Sequence, residues 1–195
     1  MSPWLIIFIA YLLGSLPTAY IAGRALKGGD IRRMGDGNAG AANAYRELGG
    51  RVGIPVFLID AGKGALAVFI AQASGASQTV VMFSGIAAVV GHNWPVFIRF
   101  RGGRGESTAI GVLLMLVTLP MLTLAVPALL VLVLKKNVII ASAVLFVPLS
   151  VVGWWTGTSG PLIAYSIGIP CLVGFTHFLR TKPRAVRSLE TTDID

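Results

Sequence analysis

STAIGVLLMLVTLPMLTLAVPALLVLVLKK, residues 107–136, runs without a charge from Ser107 to Leu134, carries Pro120 and Pro127, and closes on Lys135 and Lys136. It reads either as one long helix or as two legs, 107–119 and 121–134. At about 1.5 Å per residue each leg reaches only about 20 Å, less than the roughly 30 Å of bilayer hydrocarbon. Charge separates the readings. Five further apolar segments flank this one, at 3–23, 52–73, 78–98, 138–155 and 161–179. With two legs the chain has seven spans, and the connections on one side are residues 1–2, 72–77, Pro120 and 156–160, none carrying Asp, Glu, Lys or Arg. The other side then receives fifteen of the sixteen basic residues, all but Lys63. A single long helix would put Arg99, Arg101 and Arg104 on the opposite side from Lys135 and Lys136, against the tendency of Lys and Arg to stay on the cytoplasmic face. The sequence predicts an all-α, polytopic membrane bundle of seven helices, with the N-terminus outside and the C-terminus inside.

Composition agrees: of 195 residues 55% are hydrophobic and only 12% charged, too little polar surface for a water-soluble globule. The chain reads as one integral membrane domain, 1–195, with no separate soluble part. A formal charge of +8 would suit nucleic acid, but a basic excess confined to loops between apolar segments reflects membrane orientation; no nucleic-acid partner is expected. The N-terminal run lacks a basic leader and reads as a retained span. Trp4, Trp154 and Trp155 fall at the uncharged face and Trp94 near the basic one, as in an interfacial belt. Cys171 has no partner and is expected to be a packing residue, and the tail 190–195 to be frayed.

Two loops on the basic side carry chemistry. GDGNAGAANAYRELG, residues 35–49, sets Gly35, Gly37 and Gly40 among Asn38, Asn43 and Arg46. Glycines let successive amides turn toward one point, so these are the parts of an anion nest; the alternative is a turn entering a surface helix. GHNWPVFIRFRGGRGESTAIG, residues 91–111, joins Arg99, Arg101 and Arg104 to Gly102, Gly103 and Gly105, then opens a helix whose first free amides favour an anion. Its alternative is a snorkelling, flexible turn. Glu106 competes with a bound anion there unless Arg101 or Arg104 pairs with it. Asp60 and Lys63, the only charges inside a span, share one helix face three residues apart. They form either a self-neutralising pair facing the bundle or a lysine reaching for phosphate. His92 and His177 both lie near the charged face, and without Cys or carboxylate companions they make no convincing metal site.

Taken in order, GSLPTAYIAGR (14–24), GDGNAGAANAYR (35–46), DAGKGALAV (60–68), GHNWPVFIRFRGGRGESTAIG (91–111) and the His177 segment resemble the bacterial acyl-phosphate:glycerol-3-phosphate acyltransferases over nearly the whole chain. The resemblance implies an inner-membrane, multi-pass enzyme with its active site facing the cytoplasm and no cofactor. Its substrates would be glycerol-3-phosphate and acyl phosphate, and its product lysophosphatidic acid in membrane lipid. Where the family has Ser-Gly-Asn-x-Gly-Ala-Thr-Asn, this chain has Asp36 and Ala42 in place of the hydroxyls. Arg104 replaces the lysine of Gly-Gly-Lys-Gly and Arg180 an asparagine, while Ser142 keeps a serine position and Ile139 does not.

The resemblance implies Asn38, Gly40, Asn43, Arg46, Lys63, His92, Gly102, Gly103, Arg104, Gly105 and Arg180 as substrate contacts, with His177, Asp36 and Ser142 nearest the chemistry. His177 reads as a general base or a phosphate contact. Asp36 either repels the substrate or organises the arginines. Gly14, Gly62, Gly64 and Gly111 are expected to open a groove for the acyl chain. A transporter of phosphorylated metabolites and a non-catalytic binding protein are the rival readings. No oligomeric state follows from the sequence.

Overall fold

The computed structural model describes residues 1–181; Lys182, Arg184, Arg187 and the 190–195 tail lie outside the described residues. The described chain is helical, with no strand. Its helices are α1 (Pro3–Gly14), α2 (Thr18–Lys27), α3 (Ala41–Leu48), α4 (Gly50–Ala73), α5 (Gln78–Asn93), α6 (Glu106–Leu116), α7 (Thr118–Lys135), α8 (Val138–Phe146), α9 (Leu149–Trp155) and α10 (Gly160–Arg180). Taking α1 with α2, α5 with the turn that follows it, and α8 with α9 as continuous rods, six are long and apolar enough to cross a membrane, and α6 is a shorter apolar helix.

Two expected spans are broken. Pro17 lacks an N–H and disfavours helical geometry at the residue before it, so α1 stops at Gly14 and α2 starts at Thr18. The carbonyl of Leu16 at this break accepts a hydrogen bond from Lys63 Nζ at 2.8 Å, and Thr18 Oγ1 donates to Asp60 Oδ1 at 3.0 Å. Asp60 and Lys63 are 1% and 5% exposed and meet at 2.7 Å. Of the two readings of this pair, the structure has the self-neutralising one: Lys63 satisfies a freed backbone group at depth, as irregular membrane backbone requires. Pro148 similarly divides α8 from α9. Between α6 and α7 the chain bends at Val117, not at Pro120. Pro120 sits in the first turn of α7, where a missing N–H removes no helical bond.

Glycines draw the helices together. A Cβ at Gly14 would meet the backbone of Ala88, one at Gly64 the carbonyl of Thr108, and one at Gly111 the carbonyl of Ala61, each closer than 3.0 Å. These three glycines therefore close the α1–α5 and α4–α6 seams and do not open the expected groove; only Gly62 of the four faces free space. Around the seams Val68, Val89, Val112, Leu113, Met121, Leu149 and Ile169 form the core. Cys171 is exposed on α10, not packed.

Two contacts fix which ends lie together. Ser74 Oγ reaches Met1 Sδ at 3.6 Å, which places the N-terminus beside the α4–α5 connection at the uncharged end. Ser142 Oγ bonds Glu106 Oε1, so the starts of α6 and α8 are neighbours. Helices α6 and α7 are separate elements joined at Val117.

Candidate active site at the charged end of the bundle

Three pieces of chain meet at the charged end. The first is the loop before α3, shaped from within by Asn43. This fully buried side chain donates through Nδ2 to the carbonyls of Ile31, Met34 and Asn38 at 3.2, 3.0 and 3.0 Å, and accepts from the Asp36 N–H at 3.2 Å. Asn43 therefore holds the loop and has no N–H left for a ligand. Gly35 and Gly37 take left-handed backbone at φ 54° and 73°, geometry that glycine adopts without steric cost. The amides of Gly37 and Asn38 bond to Met34 O and Asp36 Oδ1. The expected nest of free amides is thus a self-bonded turn that presents side chains instead. Gly40 starts α3 close under the Asn38 amide.

The second piece is the turn from α5 to α6. Gly102 and Gly103 direct their N–H groups back to the carbonyls of Asn93 and His92, both at 3.1 Å. The third is the end of α10. Arg180 Nη1 donates to Gly102 O and Gly103 O at 2.6 and 2.7 Å, Nη2 donates to Asn93 O at 2.5 Å, and the guanidinium lies 5.6 Å from the Trp94 ring centroid. Arg180, expected as a substrate contact, clasps the glycine turn while bordering the cleft. Thr176 adds a second clasp through its hydroxyl to Arg104 O at 2.9 Å.

Asp36 joins the pieces. Its Oδ2 accepts from Arg46 Nη2 at 2.8 Å and from Arg104 Nη1 at 3.1 Å. The carboxylate thus organises arginines from both loop regions, Arg46 and Arg104. Beside it opens a small cleft lined by Asp36, Gly37, Asn38, Gly102, Arg104 and Arg180. Arg104 Nε and Asn38 Oδ1 are buried without a hydrogen-bond partner. Since buried polar groups are nearly always paired, these two atoms mark where a polar ligand would be held. His177 is half-buried within electrostatic reach of Arg104 and Asp36, and among the described residues no hydrogen bond fixes its imidazole.

Other candidates stand back from the cleft. Lys63 and His92 belong to the buried Asp60 cluster, with His92 Nδ1 3.6 Å from Asp60 Oδ1. Gly105 caps α6 at φ 85° against Asn93. Glu106 bonds to Ser142 and not to Arg101 or Arg104, which gives Ser142 a fixed partner. The sequence reading missed Thr176, Asn93 and a strap in which Arg32, paired with Asp30 at 2.7 Å, donates to Ile98 O at 3.0 Å and ties the two loops together. Thr176 gives no sequence signal beyond its place before His177. The Arg32 hydrogen bonds hold the Asp30 carboxyl below its ordinary value.

Fold and cleft together define a class: multi-pass helical membrane proteins with an arginine-rich, glycine-lined cleft at one end. Within that class, a family model described as glycerol-3-phosphate acyltransferase matches residues 4–188, and the chain belongs to this family. Glycerol-3-phosphate acyltransferase 4 of Dehalococcoides mccartyi is 52% identical over 180 residues, covering 92% of this chain and 97% of that one. A glycerol-3-phosphate acyltransferase of a Synechococcus species is 37% identical, covering 91% and 88%. Two crystal structures of PlsY, an integral membrane glycerol 3-phosphate acyltransferase, also match. Its glycerol 3-phosphate form has a TM-score of 0.83 at 32% identity, covering 98% of this chain and 94% of that one. Its lysophosphatidic acid form has a TM-score of 0.80 at 30% identity, covering 98% and 93%.

Proposed function

We propose that the protein transfers a fatty acyl group from acyl phosphate to the 1-hydroxyl of glycerol-3-phosphate, releasing lysophosphatidic acid and phosphate. The observation that carries this reading is the Asp36 bridge, which ties Arg46 to Arg104 beside a cleft that Asp36, Arg104 and Arg180 line. Three guanidiniums against one carboxylate leave two formal positive charges. A phosphomonoester near neutral pH carries about −1.5 to −2, so the cleft suits one such group held by charge-assisted hydrogen bonds.

In the reaction the 1-hydroxyl oxygen attacks the acyl carbon, the bond from that carbon to the phosphate oxygen breaks, and phosphate departs with the electron pair. Arg104 and the unpartnered Asn38 amide oxygen lie in the cleft to hold substrate oxygens and hydroxyls. A general base needs hydrogen-bond reach and an orienting partner. His177 has no such partner among the described residues, so we assign the hydroxyl proton to the departing phosphate and give His177 a phosphate contact. Ser142, fixed by Glu106, stands as a polar group at the start of α8.

The topology we propose has seven spans, with α6 and α7 as the two short legs, the N-terminus outside and the cleft facing the cytoplasm of a bacterial inner membrane. The gathering of charge at one end supports it. The decisive assay gives purified protein glycerol-3-phosphate with acyl phosphate, acyl-CoA or acyl carrier protein in turn. Lysophosphatidic acid should form from the first donor alone; product from acyl-CoA would overturn the donor assignment, and binding without product would overturn turnover.

A further inference from the structure

His92 is buried and stands outside the cleft, yet its carbonyl and its ring both meet the turn that carries Arg104. Its ring leans on Asp60, with Nδ1 3.6 Å from Oδ1, and Asp60 is itself held by Lys63 and Thr18. Its carbonyl accepts the Gly103 N–H at 3.1 Å. The Nε2 tip of the ring points at Gly103, where Nε2, flanked by Cδ2 and Cε1, is the atom nearest to any added Cβ, all three within 3.0 Å. Gly103 does not have positive φ, so no backbone strain demands glycine there; space alone does. Gly102 differs, because its added Cβ would meet the His92 carbonyl oxygen and the Pro95 ring, which no change of the His92 side chain removes. Arg180 and Thr176 of α10 hold the same turn through the carbonyls of Gly102, Gly103 and Arg104. The turn is thus held by two side chains of α10 and abutted by the His92 imidazole.

We propose that His92, buttressed by Asp60, is a positioning residue whose ring sets the depth of the Gly102–Arg104 turn and so the reach of Arg104 toward Asp36 and the substrate phosphate. It touches no substrate. The buried charge pair thereby gains a second part: besides holding the broken first helix, it supports the floor of the site. Only the kinetic readout of this inference rests on the acyltransferase reading; the geometric readout does not.

The two glycines supply a size-swap test with an internal control. Gly103→Ala, His92→Ala and their combination are compared for acyl transfer and for deuterium uptake of the peptide spanning residues 99–106. His92→Ser runs the same cycle with a polar group left beside Asp60. Displacing a binding group by an ångström costs about 100-fold, so Gly103→Ala should lose about that factor in kcat/KM, chiefly through KM for glycerol-3-phosphate. The double variant should return to the level of His92→Ala alone, a non-additivity expected only of side chains in contact. Gly102→Ala should not be recovered by His92→Ala. Deuterium uptake should rise in His92→Ala and fall again in the double variant. Losses that multiply in the double variant, or equal recovery of Gly102→Ala, would overturn the proposal. An inactive native enzyme would strike the acyltransferase reading instead, and unchanged uptake would still overturn this one.

Discussion

An ionised carboxylate in a cleft meant for a dianion repels its ligand unless cations outnumber it, and Asp36 is outnumbered. It occupies a position where the resemblance supplies a serine, and two guanidiniums, 10 and 68 residues further along the chain, converge on one of its oxygens. Hydrogen bonds to charged groups contribute about 1.5–3 kcal/mol each, so Asp36→Ala is expected to lower kcat/KM for glycerol-3-phosphate by about ten- to a hundredfold, measured by steady-state transfer. A rise in rate would show the carboxylate to be an obstacle. Asp30 gives a pH prediction of definite sign. Its folded-state value is depressed, first by the Arg32 side-chain hydrogen bonds, so the stability it lends is complete above the unfolded value. That stability is lost as pH falls below about 4. The difference in melting temperature between the native protein and Asp30→Asn should be constant from neutral pH to about 5 and close below about 4. A gap that widened on acidification would contradict the strap.

Helix contacts at glycine are decided by space, and α4 holds both extremes. Gly64 abuts the Thr108 carbonyl, whereas a Cβ at Gly62 would meet nothing within 4 Å. Gly64→Ala, or Gly111→Ala across the same seam, should cost about 1–3 kcal/mol by overpacking, while Gly62→Ala should be neutral or gain up to about 1 kcal/mol of helix propensity. Thermal unfolding in one detergent separates them, and equal effects would refute the close seam. All three glycines look alike in sequence, which is why an open groove was expected where two of them close a seam. The apolar segments were legible because burial and charge act along the chain. The breaks at Pro17 and Pro148 were not, since proline inside an apolar run is compatible with a kinked span as well as a divided one. The loop-holding bonds of Asn43 and Arg180 were hidden for a similar reason. Sequence shows their donors, but which acceptor wins is decided by residues up to 87 positions away.

At the scale of the molecule, the side on which each connection lies was read from charge alone, and two neighbouring pairs are seen in the structure, Ser74 with Met1 and Glu106 with Ser142. Single cysteines in a Cys171→Ala background test the orientation in intact cells. Those at Ser74 and Thr158 should react with a membrane-impermeant maleimide, and those at Arg33 and Arg101 only after permeabilisation; the reverse pattern would invert the topology. What charge could not supply was the convergence of the two loops, because the Asp36–Arg104 contact exists only once α4 and α5 have folded back on each other. Helix α6, of eleven residues, is only about 16 Å long, roughly half the thickness of bilayer hydrocarbon. A bilayer meeting so short an element thins locally or admits water beside it. A reagent dissolved in water and one dissolved in fat can then meet at a shared frontier, and neither has to cross into the other's solvent.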